Sequence, residues 1–246
     1  MIPDSHFSGE VRLEANASGN GRVYQVAQGQ MHIHNADPAR QLELMPLAHS
    51  VDVLTNMDPI DAAAALSAMS PVSASKRLEA MYVADGARIF AQLSDDVIST
   101  QMSLIQHGRL LHLTAETRPE KIGAALALLQ IRTPDVVRIL AEVHQPEKVV
   151  ASAPPKAAVR WMISAGLPLG KTWFGKMSDQ SAATLLSNMP LNHSIALIQQ
   201  VSPGRAAEIL NHLEKPKPST LLKKISPYRA AEIQQEWRKR KMGPIR

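Results

Sequence analysis

An apolar residue returns every twelve positions through most of this chain. It stands at Met57, Met69, Met81, Leu93 and Ile105, and again at Met177, Met189, Val201, Leu213, Ile225 and Trp237. Held over eleven positions, that spacing leaves room in each unit for one short element and a corner, so it restricts the fold before any other feature is read. Segments such as DPIDAAAALSAM (58–69), SPVSASKRLEAM (70–81), SDQSAATLLSNM (178–189), SPGRAAEILNHL (202–213) and SPYRAAEIQQEW (226–237) share one template. Ser or Asp stands first and Pro is often second. Small residues take the fifth and sixth positions, and apolar residues the ninth and twelfth.

Each template position has a physical role. The opening Ser or Asp can accept a hydrogen bond from an orphan backbone N–H and cap a helix. Pro just behind it has a helical φ and lacks only an N–H that the helix does not need. The fifth, sixth, ninth and twelfth positions then make one apolar stripe on a helix. Ala at the close-packed positions lets a neighbour approach. The spacing predicts helices of about 8–9 residues, roughly 13 Å long. Helices this short are unstable alone and must bury their stripes on preceding and following units. Aromatic residues are only 4% of the chain, which suits such close packing.

The expected fold is therefore all-α, a right-handed superhelical solenoid over residues 41–237. It is preceded by a β-prone or disordered segment, residues 1–40, and followed by a basic tail, 238–246. The phase breaks between the two blocks. Gln106 to Pro119 reads as a connection, Lys121 to Gln130 as a helix, and Thr133 to Val143 as a return to the template, which Ala153 to Ser164 follows in part. Less regular seams are expected near 106–130 and 144–176, with two compact bundles joined at one seam as the alternative.

The phrase SPxxAAxxLxxM, as in Ser202–Leu213, resembles the cytosolic N-terminal domain of MgtE-type magnesium transporters. The middle domain of the flagellar switch protein FliG is similar in architecture. The resemblance covers roughly residues 45–105 and 177–237 and implies a superhelix of short helices. In the transporters such a domain precedes regulatory repeats and a membrane part, and contributes acidic residues to magnesium sensing. This chain has neither of those other parts, so transport is not expected. Magnesium is the one cofactor that the resemblance brings in, and the residues themselves name none.

Ahead of the array lies GNGRVYQVAQGQMHIH, residues 19–34, a strand-former at the front of a helical chain. Val23, Tyr24, Val26 and Ile33 favour strands, and Gln25, Gln28 and Gln30 can stack as amide ladders. A lone strand or hairpin is marginal in water and is stabilised by pairing. Gly19, Gly21, Arg22, Val23, Tyr24, Gln25, Gln30 and Ile33 resemble the short amyloid-signalling motifs of bacteria, akin to RHIM-type motifs; Val26 to Gly29 depart from that pattern. This resemblance implies self-assembly or pairing with a protein partner. The plain alternative is a loose leader, or a small hairpin lying on the first helices.

Other candidates carry less. AGLPLGKT, residues 165–172, matches a relaxed phosphate-loop pattern. A phosphate loop belongs between a strand and a helix, whereas the preceding VRWMISA completes a helical unit. Gly166 and Pro168 are better read as a helix stop and a turn. His32 and His34 alternate but lack further ligands. The chain contains no Cys, which excludes disulfides and thiolate sites.

From Glu214 onward ten Lys or Arg stand against three Glu, a balance of +7, so the other 213 residues carry −2 of the total +5. The basic charge belongs to the tail, including Arg238, Lys239, Arg240 and Lys241. Nucleic-acid binding by the whole fold is not expected, because a cationic footprint should spread over a face. The N-terminus lacks a signal-peptide pattern and no run reaches the ~18 apolar residues of a membrane span. A soluble, cytosolic protein that catalyses nothing is the expectation: a scaffold or adaptor for a protein partner, with a magnesium-responsive regulatory domain as the alternative.

Overall fold

The computed structural model describes residues 38–214 and 217–241. Within them lie seventeen helices and no strand. The first eight are α1 (Pro38–Leu44), α2 (Leu47–Asn56), α3 (Pro59–Ala68), α4 (Pro71–Ala80), α5 (Val83–Phe90), α6 (Asp95–Leu104), α7 (His107–Leu113) and α8 (Pro119–Leu128). There follow α9 (Thr133–Glu142), α10 (Pro146–Ser152), α11 (Pro155–Ser164), α12 (Gly166–Lys176) and α13 (Asp179–Asn188). The last are α14 (Leu191–Ile198), α15 (Pro203–Asn211), α16 (Lys217–Lys224) and α17 (Pro227–Lys241). No described helix is long and apolar enough to cross a membrane.

A typical unit is ten helical residues and a two-residue corner. The closing apolar residue is not helical: Met69, Met81 and Met177 are C-caps with extended backbone, followed by an equally extended N-cap. Two extended residues in succession turn the chain sharply and drive the closing side chain inward, so Met69, Met81, Leu93 and Ile105 are all buried. The opening residue caps as the template requires at four units. Asp58 accepts from the Ile60 N–H at 2.9 Å, Ser178 from Ser181 at 3.1 Å, and Ser202 and Ser226 from Arg205 and Arg229 at 3.4 Å. Ser70 and Ser94 do not cap. Ser70 bonds Glu43 instead, and Ser94 bonds the Asp96 carboxylate.

Every helix packs on its next-but-one neighbour, from α1 on α3 through to α15 on α17. Odd-numbered and even-numbered helices thus form two rows with the apolar stripes between them, and one core cluster runs from Ala39 to Ile233. This is the α-solenoid that the period implies.

The middle of the chain corrects the sequence reading. Gln106 to Pro119 is not a connection, because α7 occupies His107–Leu113, and the helix placed at 121–130 begins two residues earlier, at Pro119. Nor is the phase lost. N-caps fall at Pro46, Asp58, Ser70, Tyr82, Ser94, Gln106 and Arg118, slip to Arg132 and Gln145, and return at Pro154. Residue 154 lies three whole periods beyond 118. The slip is absorbed by α10, only seven residues long, which starts from Gln145 in the left-handed region at φ 52°. Row packing continues through α6, α8, α10 and α12 and through α7, α9 and α11, favouring one array over two joined bundles.

Candidate functional site

Short helices expose many unpaired groups for their length, since the last four carbonyls of each have no partner inside the helix. Here a cation from three helices further on meets them. Arg109 of α7 donates to the Leu78 carbonyl (3.3 Å) and the Met81 carbonyl at the end of α4. Lys121 of α8 donates to Ala91 after α5 (2.9 Å). Lys217 of α16 donates to Ser187 (2.8 Å) in the last turn of α13 and to its C-cap Met189 (3.4 Å), and Arg229 of α17 to Val201 beyond α14. Arg205 of α15 is the fullest case. Its guanidinium meets the Phe174 (2.9 Å), Gly175 and Met177 (2.5 Å) carbonyls of α12 and pairs with Asp179 at 3.2 Å.

All five cations occupy the fourth template position, in the first turn of their own helix. The helix dipole disfavours a cation there. What holds it is the negative end of another helix, 28 to 31 residues back in sequence. Burial lowers the Lys217 pKa. The fourth-position cation is a sequence signal that the template above does not include.

Carboxylates complete the network from the other side. Glu43 of α1 accepts the backbone N–H (2.5 Å) and hydroxyl (2.7 Å) of Ser70, which precedes α4. Glu79 of α4 accepts the Gln106 N–H (2.6 Å) ahead of α7. Arg77, buried, returns from α4 to the Leu42 carbonyl of α1 at 2.5 Å, and burial lowers its pKa. The Thr114 hydroxyl accepts the His144 N–H (2.9 Å) and ties the end of α7 to the start of α10.

Glu43 has a testable pH consequence. Its carboxyl is held below the usual 4.5 by the Ser70 hydroxyl, then by the Ser70 N–H and the charge of Arg77. A depressed carboxylate stabilises the fold above its unfolded value, and that contribution is lost as pH falls through the lower folded value. Glu43→Gln is expected to lower the urea midpoint at pH 6, with the difference from the parent shrinking as pH drops below 4.5. A pH-independent difference between pH 6 and pH 3 would show that the ionised carboxylate plays no part.

The residues singled out by sequence fall unevenly. Gly19, Gly21, Arg22, Val23, Tyr24, Gln25, Gln30 and Ile33 lie outside the described residues, as do His32 and His34. Arg238 and Lys239 are exposed on the last turns of α17, where Lys239 pairs with Glu236 at 2.7 Å. Lys171 and Thr172 of AGLPLGKT lie within α12, and Thr172 donates to the Pro168 carbonyl at 3.2 Å. Ala165 is the single residue between α11 and α12; Gly166, at φ 70°, opens α12, and Pro168 sits inside that helix rather than in a turn. Among the described residues no three His, Asp or Glu side chains gather as a metal group. A shallow groove of about 470 Å³ between α6 and α8 is lined by Asp95, Arg118, Glu120, Lys121 and Ala124.

Exposed apolar side chains stand at the helix starts of three successive early units, and Leu44 at the end of α1 is 80% exposed as well. Ile60 in α3 and Val72 in α4 are 66% and 54% exposed, and Tyr82 at the start of α5 is 83% exposed.

The family model of the MgtE intracellular N domain matches residues 22–115 and again 148–237, well over half of the chain. The chain belongs to the MgtE intracellular N domain family. No curated protein and no solved structure matches it. The MgtE match extends further than the template segments do, starting at Arg22 rather than near 45 and at Lys148 rather than 177. Six of the eight strand-motif residues, Arg22 to Gln25 with Gln30 and Ile33, fall inside the first MgtE span. The unmatched stretch, 116–147, contains the two slipped helix starts.

Proposed function

We infer that this chain is a non-catalytic scaffold that binds another protein along the exposed starts of α3, α4 and α5. The observation carrying this reading is the outward placement of Ile60, Val72 and Tyr82 in three successive units, each at the first or third template position. Aliphatic and aromatic groups presented this way suit the core of a protein interface. The polar side chains of the same units meanwhile hold helix ends together. Within this reading Gly19 to Ile33 is the recruiting segment, adding as a strand to a partner's edge. A second reading is favoured by the family: a regulatory domain of magnesium-transporter type that responds to the cation.

The expected result is that Ile60→Ser/Val72→Ser leaves the melting temperature within a few degrees. It should also abolish the discrete adduct formed in the source cells by a photoreactive residue at Val83. An adduct that persists in the double variant removes the α3–α5 surface from the proposal. Magnesium ions at millimolar concentration should leave the melting temperature unchanged; a rise of several degrees selects the regulatory reading, because a ligand bound only to the folded state stabilises it.

A further inference from the structure

Small residues mark where the helices of this array lie closest. An added Cβ at Gly123, sixth in α8, would stand 3.0 Å from the Val149 carbonyl oxygen and 3.3 Å from the Ala153 backbone. The sixth position there meets α10, the following next-but-one helix. Along the odd row Ala63, Ala87, Ala183 and Ala207 take that position in α3, α5, α13 and α15, and all four are buried. Where Leu111 takes it in α7, it is left 46% exposed beside the slipped α9. Ala231 takes it in α17, the last described helix, and is exposed. Tyr228, Ala231, Gln235 and Arg238 are all exposed and recur three or four residues apart, so they form one outward stripe opposite the buried Ile233. Uncharged in its middle, the stripe is framed by cations. Lys223 and Lys224 are exposed in the last turn of α16, and only Ile225 and Ser226 separate them from α17. Arg238 lies about 15 Å along the helix from Tyr228. Among the described residues no carboxylate pairs with these three cations, while Glu232 is taken by Arg229 at 2.9 Å and Glu236 by Lys239 at 2.7 Å.

We propose that this face of α17 docks an acidic helix of another protein, seated across Ala231 with its carboxylates meeting Lys223, Lys224 and Arg238. The face supplies both things such a helix requires: a small residue that lets a backbone approach, as its equivalents do inside the array, and cations at each end of the contact. A nucleic-acid strand needs cations along its path to neutralise successive phosphates. Here Ala231 and Gln235 occupy the middle of that path. A second copy of the chain would set the same cations against one another. Entry into a bilayer has no apolar face to use, because Ala230 and Ile233 of α17 are buried in the array. The surface is separate from the starts of α3 to α5, and the inference does not rest on the reading of those.

Titration of the full-length protein with a stapled helical peptide, an Ala stripe flanked by Glu, tests it, with amide NMR shifts locating the contact. Signals of α16 and α17 should move. Ala231→Gln, which adds bulk without charge at an exposed site, should weaken binding at least tenfold and leave the melting temperature unchanged. Arg238→Glu should do the same. A peptide of identical composition with the stripe scrambled should bind at least tenfold more weakly. Equal binding of the scrambled peptide, or unchanged binding by Ala231→Gln, overturns the proposal, since charge alone would then explain the contact. Absence of binding overturns it too, as does a contact mapping away from α16 and α17. A single-stranded oligothymidylate that binds these helices more tightly than the peptide, with no loss in Ala231→Gln, would assign the face to nucleic acid instead.

Discussion

Arg205→Ala is expected to lower stability by about 3 kcal/mol, since hydrogen bonds to a charged donor are worth about 1.5–3 kcal/mol and the acceptors left behind keep their desolvation cost. Three carbonyls at the end of α12 and the Asp179 carboxylate share this one guanidinium. Arg205→Lys provides the internal control. At the equivalent position Lys217 reaches only two carbonyls and Lys121 one, so a lysine should restore part of the loss. Denaturant unfolding followed by hydrogen exchange locates the effect, which should concentrate in α12 to α15. A loss under about 0.5 kcal/mol, the range of ordinary surface substitutions, would show that the guanidinium is a solvated surface charge.

Phe90→Ala should cost about 3–5 kcal/mol, the range for emptying a buried phenylalanine site. Phe90 is fully buried at the ninth position of α5, where neighbouring units place Leu66, Leu78 and Met102. Those equivalents predict that Phe90→Leu is tolerated with a much smaller loss. Each unit touches only nearby units, so damage should stay local. Amides of α3 to α7 should exchange faster while α13 to α17 remain protected. Uniform loss across the chain would show that the array unfolds as one cooperative block.

How much of this was legible in the sequence depends on how far apart the cooperating residues lie. Asp58, Ser178 and Ser202 cap N–H groups two or three residues away, so the caps could be read locally. The helix α7 could not. HGRLLHL has neither a side-chain cap nor a proline, and the N–H of its N-cap, Gln106, is satisfied by Glu79, 27 residues earlier. The slipped starts at Arg132 and Gln145 hid a register that resumes at Pro154.

The repeating unit was written in the chain itself: a twelve-residue period, a capped short helix, and a closing apolar residue. Capping and stripe periodicity act within one turn of helix, and neighbours along the chain display such distances. How the units are joined came only from the folded arrangement. Arg205 and its kin sit where their own helix dipole disfavours a cation, and the carbonyls that outweigh that dipole arrive from a helix three units away.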